Sequence, residues 1–326
     1  MSQMSFSEIE YSMNRKTTRK QRFLKEMERI MPWERWIAII SPHYHPGEFG
    51  RPPKDIGLML RMFMLQSWYN LSDEGIEDMC CEDLTAKAFL RLAHGERVPD
   101  STTLMKFRHL LEEKGLCKVL FDDVAKCLKR NKMIMQGGTI EDATIINAPS
   151  STKNKDGKRD PEMSQTKKGG QWYFGMKGHV GVDVGSGFIH SLTVTSANVH
   201  DVTEAHRLFR KGDHVLYGDS AYSTALRHME AAGMDVSGIE VRTTGRNGRR
   251  PARQDGSGWT KMIEGRIASV RSKVEHVFLL IKRQFGYSKA RYRGLAKNLN
   301  RLYILAASAN MVMVIRAGRT EEFCRG

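Results

Sequence analysis

The chain has 326 residues, 40% of them hydrophobic, enough for a sizeable core in one large domain or two medium ones. Its 52 Lys and Arg against 37 Asp and Glu give a formal net charge of +15, which favours a polyanionic partner through counterion release, with a solubilising basic surface or a ribosome-associated protein as alternatives. No apolar run reaches the ~18 residues a membrane span needs, no secretory signal opens the chain, and five cysteines without a CxxC pair argue against a disulfide framework or structural zinc, so a cytoplasmic protein with reduced thiols is expected.

Residues up to about 132 read as helical. Met1 to Gln21 is polar and then basic, an arm. Arg22 to Ile30 is periodic, and Pro32 starts a new segment. Pro52, Pro53 and Asp55 open a helix to about Asn70, with Ile56, Leu60, Phe63 and Leu65 apolar. Ser72 caps a short helix ending near Cys81, and Leu84 to His94 makes the next, stopped at Gly95. Pro99-Asp100-Ser101 caps a third, running to Glu113; Gly115 breaks it, and Leu116 to Lys132 forms the last. The three short helices are either a helix-turn-helix unit offering Thr103, Lys106, Arg108 and His109 to DNA, or a small bundle with a solvated basic face. Expected divisions are a basic arm with short helices over 1–45, a helical DNA-binding domain over 46–132, a second domain over 133–316 and a tail over 317–326.

The character changes at Gly137-Gly138. Thr139 to Ile146 is rich in β-branched residues and reads as a strand. Ser150 to Gly170, polar and basic, reads as a loop. Tyr173 to Val184 and Phe188 to Thr195 form a hairpin about Gly185-Ser186-Gly187. Asp201 to Arg210 is helical, Val215 to Tyr217 a strand, Thr224 to Ala232 a helix and Ile239 to Thr243 a fifth strand. A basic insertion over 244–258 carries Arg246, Arg249, Arg250 and Arg253. Helices follow over Lys261 to Gly286 and Leu295 to Arg316. A meander followed by alternating strands and helices suits an α/β fold: a mixed sheet with helices on both faces.

Three carboxylates stand out. Asp142 lies within the first strand, where an ionised side chain needs compensation; Glu141 points to the opposite face, so register decides which of the two is functional. Asp219 ends the strand His214 to Gly218, at the carboxyl edge where ligands of α/β sheets collect, or it caps the next helix. Glu275 lies beside the stripe Val270, Val274, Val277, Ile281 and Phe285, in one arc with Arg271 and Lys282, either as part of a site or as a surface Arg–Glu pair. Two aspartates and a glutamate suit a two-metal site with ions ~3.5–4 Å apart, and Mg²⁺ accepts few carboxylates plus phosphate and water. From His276 to Thr320 there are nine Lys and Arg and no acid; Lys282, Arg283, Lys289, Arg291 and Arg293 interleave with Tyr287 and Tyr292, the pattern of a phosphate-tracking surface.

These stretches resemble bacterial insertion-sequence transposases of the DDE class, and within them the insertion-sequence-five family. The resemblance rests on Asp142-Ala143-Thr144-Ile145-Ile146-Asn147-Ala148, on Tyr217-Gly218-Asp219-Ser220-Ala221-Tyr222, and on a Tyr-x2-Arg-x3-Glu-x6-Lys motif matched by Arg271, Glu275 and Lys282. Ala268 stands at the tyrosine position, leaving that residue's role unfilled or moved elsewhere. Pro99 to Leu104 with Phe107-Arg108 resembles the family's helical N-terminal domain, and Asn198-Val199-His200-Asp201 a family segment without an assigned role. The resemblance spans about residues 45 to 315. It implies a ribonuclease-H-like mixed five-stranded sheet with flanking helices beside an all-helical N-terminal domain. It further implies Asp142, Asp219 and Glu275 as catalytic metal ligands for two Mg²⁺ (or Mn²⁺), and Arg271 and Lys282 on phosphates of terminal inverted repeats. Lys106, Arg108 and Arg283 are further candidate DNA contacts. Hydrolysis at the element ends, attack of the 3′-hydroxyl on target DNA, a homodimer or larger assembly on double-stranded DNA, and a nucleoid-associated location follow as expectations. A metal-dependent nuclease of the same fold and a catalytically silent DNA-binding regulator are the alternatives.

Overall fold

The computed structural model describes residues 16–44, 52–92, 95–155, 157–243 and 258–325. Residues 1–15, His45 and the arginines of the expected 244–258 insertion lie outside them.

Among the described residues of the N-terminal part seven α-helices follow one another: α1 (Arg19–Ile30), α2 (Trp33–Ile40), α3 (Ile56–Tyr69), α4 (Asp73–Glu82), α5 (Leu84–Leu90), α6 (Ser101–Glu113) and α7 (Leu116–Arg130). Their starts follow side-chain chemistry. The hydroxyls of Thr18 and Ser72 and the carboxylates of Asp55, Asp83 and Asp100 each accept a backbone N–H of the first turn. Helix α3 is buried all round from Leu58 to Trp68 and is the axis the others pack on.

The sheet comprises β1 (Gly138–Asn147), β2 (Ser164–Lys168), β3 (Gln171–Asp183) and β4 (Ile189–Ser196). After a 3₁₀ turn (Asp201–Glu204) and a short α8 (Ala205–Leu208) comes β5 (Val215–Gly218); a second 3₁₀ turn (Ser220–Thr224) and α9 (Ala225–Ala231) lead to β6 (Glu240–Thr243). Then follow α10 (Gly258–Leu279), which passes into a π-helical turn (Leu280–Gln284), α11 (Leu295–Arg316) and α12 (Thr320–Cys324).

Strand order is β2-β3-β1-β5-β6, with β4 also on β3. The β1–β3, β2–β3 and β3–β4 pairs are antiparallel, and β1–β5 and β5–β6 are parallel. This is the mixed ribonuclease-H-like sheet, with one strand more than the five expected. The addition is β2, inside the stretch read as a loop. Ser164-Gln165-Thr166-Lys167-Lys168 has no apolar residue and shows no alternation, yet it completes β3's backbone hydrogen bonds at an edge. The expected helix over 201–210 is reduced to the 3₁₀ turn and four-residue α8.

Helices cover both faces. Segment 201–231 packs on one, against Leu216 and Val241, and α10 and α11 lie on the other. The entry to β1 is fixed by a buried charge network. Asp183 accepts N–H groups of Met135, Gln136 and Ser186, Asp213 accepts Gly137 N–H and the Thr139 hydroxyl, and Arg210 bridges the two carboxylates at 2.9 and 2.8 Å.

Helix α11 joins the two halves. It contacts α7, α3 and β4. Trp68 Nε1 donates to Ser308 Oγ at 2.9 Å, and the Asn310 amide exchanges two hydrogen bonds with the Ile189 backbone at 2.9 and 2.8 Å. One hydrophobic core therefore runs from Leu24 through β1 and β3 to Phe323, across the boundary expected near residue 132. Among the described residues no helix is long and apolar enough to cross a membrane.

Candidate active site

Strand register brings two of the three acids together. The parallel pairing sets Gly138 opposite Val215 and Ile140 opposite Tyr217. Asp142 lies two residues further along β1 and Asp219 just past the end of β5, near enough for the charge of Asp219 to act on Asp142. Arg271 Nη2 of α10 lies 3.6 Å from Asp142 Oδ2, and the Asp142 side chain is 21% exposed. Burial pushes the Asp142 carboxyl up to about 6; the Ala143 N–H and the Arg271 and Lys168 charges pull it down, and the neighbouring Asp219 adds to the rise. Asp142 Oδ1 accepts the Ala143 N–H at 2.7 Å.

Glu141 faces the opposite way, fully buried, with neither carboxyl oxygen hydrogen-bonded. Desolvation pushes its carboxyl well above the usual range. Asp142 is thus the acid of this pair that faces Asp219.

Asp219 also caps: its Oδ1 accepts Ala221 N–H at 2.8 Å at the start of the 3₁₀ turn. That turn folds the buried Tyr222 ring back onto Gly218, where an added Cβ would sit 2.6 Å from ring and Cβ carbons. Glycine before Asp219 is therefore a packing requirement.

Glu275 is exposed on α10, one turn beyond Arg271. Among the described residues no three His, Cys, Asp or Glu side chains converge as a metal-binding group. The aspartate pair fits a hard divalent cation completed by water and phosphate oxygens; Glu275 is not gathered with it.

The candidate DNA contacts divide sharply. Lys106 and Arg283 are exposed. Lys282 is half-buried, and its ammonium donates to Ile145 O of β1 at 2.7 Å. Arg108 departs from expectation. It is buried, paired in two hydrogen bonds with Asp73, and stacked over the Tyr292 ring at 4.5 Å. Its position with Leu104, Phe107 and Leu111 on the inner face of α6 is the reason, and it is not available to DNA.

Two features were missed. Lys168 of β2 lies near enough for its charge to act on both Asp142 and Lys282; the Lys167-Lys168-Gly169-Gly170 turn was the only sequence signal. The Asn198–Asp201 segment is anchored by Lys177, whose ammonium donates to Val199 O at 2.6 Å and pairs with Asp201 at 2.8 Å. Its role here is to fasten the chain leaving β4.

Comparison with known families gives two matches. Residues 135–311 match the family model described as a transposase DDE domain, and residues 11–110 match one described as a transposase domain, DUF772. No solved structure matches the chain.

Proposed function

Since this chain belongs to the family of DDE-domain transposases, whose matching segment covers more than half of it, we propose that it cuts and rejoins the ends of an insertion sequence of the insertion-sequence-five type. The family's chemistry is metal-dependent phosphoryl transfer in DNA transposition. The proposal is that Asp142, Asp219 and Glu275 hold two Mg²⁺ (or Mn²⁺) at the cut. When bound, such ions activate the attacking oxygen and stabilise the leaving one.

The observation that supports this reading is the proximity of Asp142, on β1, to Asp219, just past the parallel neighbour β5, with Arg271 of α10 3.6 Å from Asp142. Burial of Asp142 makes a cationic neighbour favourable, and Arg271 now supplies part of that charge. Arg271 then turns to a phosphate oxygen, and Glu275, one helical turn or about 5.4 Å along α10, closes over the aspartate pair. Lys282 has three N–H donors; one is on Ile145 O, leaving two for a phosphate of the terminal repeat. Lys106 and Arg283 contact backbone on the flanks. A dimer brings two ends together.

Asp142→Asn, Asp219→Asn and Glu275→Gln, tested singly with Mg²⁺ on an end-bearing duplex, each lower cleavage by at least about 10³-fold, the order of removing one transition-state charge stabiliser. Cleavage that survives any one of them removes that residue from the site. A labelled end that is cut but never joined to a second duplex identifies a nuclease instead.

A further inference from the structure

We propose that the cleft between the 148–163 loop and the 286–294 strap grips the phosphate backbone of double-stranded DNA; this rests on the DNA-cleaving reading above and assigns it a surface. The cleft encloses about 260 Å³ just past the end of β1, and Ala148, Met163 and Ala290 form its buried floor. Lys153, Lys158, Arg159, Arg291 and Arg293 line it from the two sides.

The cleft is built, not incidental. The strap lies along the end of β1: Asn147 N–H donates to Ser288 O at 3.1 Å and Ala290 N–H to Asn147 O at 2.6 Å. Asn70, at the end of α3, ties the strap down through Gly286 O and the Arg291 side chain. Two acids of the loop, Asp160, which also lines the cleft, and Glu162, are engaged by backbone N–H groups. Asp160 accepts Gly294 N–H at 2.7 Å and Glu162 accepts Leu295 N–H at 2.8 Å at the start of α11. Among the described residues Lys153, Lys158 and Lys289 make no ion pair with a carboxylate. Arg159 is steadied over the Phe174 ring at 5.3 Å, with its Nε on Ser150 O.

Like charges gathered on two sides of a cleft repel one another, and a polyanion relieves that repulsion while releasing its own counterions. The distance suits one continuous partner. From Asp142 to the end of β1 is five residues, about 16 Å at 3.3 Å each, or about five base pairs of duplex at 3.4 Å. A duplex lying along β1 from the aspartate pair spans that distance.

The test is the salt dependence of affinity for a random-sequence DNA duplex, measured by fluorescence anisotropy without divalent metal. Lys153→Gln with Lys158→Gln is expected to flatten the log–log slope by about two, one per lost phosphate contact. Arg159→Gln flattens it by about one. Lys118→Gln on α7, where the lysine is already paired with Asp122, leaves it unchanged. A slope unaltered in the cleft variants overturns the proposal while leaving the cleavage reading intact, as does equal flattening by Lys118→Gln. A wild-type chain with no affinity for the duplex overturns both. Circular dichroism confirms that each variant is folded.

Discussion

A carboxylate inside a sheet persists only where something offsets its desolvation, and the acids of this chain meet that demand in different ways. Asp183 is pushed up by burial, but hydrogen bonds from Ser186, Arg210 and Met135 outweigh this and hold it below the usual carboxylate range. Its folded value being depressed, the stability it contributes is present above its ordinary value of 3.8 and is lost as pH falls through the lower folded value. Asp183→Asn is expected to cost about 3 kcal/mol at neutral pH, read by urea unfolding. The gap to wild type narrows once the pH drops below 3.8; a gap independent of pH disproves the charge pairing. Gly218→Ala forces a methyl against Tyr222 and is expected to destabilise by about 2 kcal/mol; an unchanged melting temperature refutes the close packing. At this scale the sequence was partly legible. Asp142 within an apolar strand and Asp219 at the end of another were readable as candidates, whereas the choice between Glu141 and Asp142 needed the register. Arg108 was misread although Leu104, Phe107 and Leu111 share its arc, because charge was weighed before periodicity.

Elements were legible where apolar periodicity marked them. β1, the β3–β4 hairpin, α3, α7 and α11 fall close to their expected bounds. β2 was invisible because an edge strand needs only backbone groups, and Ser164 to Lys168 offers no apolar alternation. The π-helical turn after α10 was equally hidden: apolar spacing continues through Ile281 to Phe285 while the hydrogen bonds widen. That turn places Lys282 against β1. Lys282→Ala therefore has two expected effects: a loss of about 1 kcal/mol, from Ile145 O left without its donor, and a DNA salt slope flatter by about one. A stability loss with an unaltered slope shows Lys282 to be a strand clamp only.

For the whole molecule, the shared core argues against independent folding of the helical and sheet-bearing parts. Trp36 and Trp68 are buried among the N-terminal helices, and Trp68 is bonded to α11. Tryptophan fluorescence and far-ultraviolet dichroism are expected to report one coincident unfolding transition; two separated midpoints contradict this. Ser308→Ala, which leaves the Trp68 N–H buried without an acceptor, is expected to cost about 2 kcal/mol and to shift both probes together. The net charge announced a polyanion, but only the folded chain shows loop and strap cations meeting at the end of β1. The position of α11 in the chain has a further consequence during synthesis. About 180 residues separate the end of α7 from the middle of α11, so at about 5–20 residues per second a ribosome takes about 10–40 s to deliver the segment that closes over Trp68. Through that interval the nascent helices keep an unsealed apolar face, the window in which chaperone capture is favoured and premature termination yields a product unable to mature.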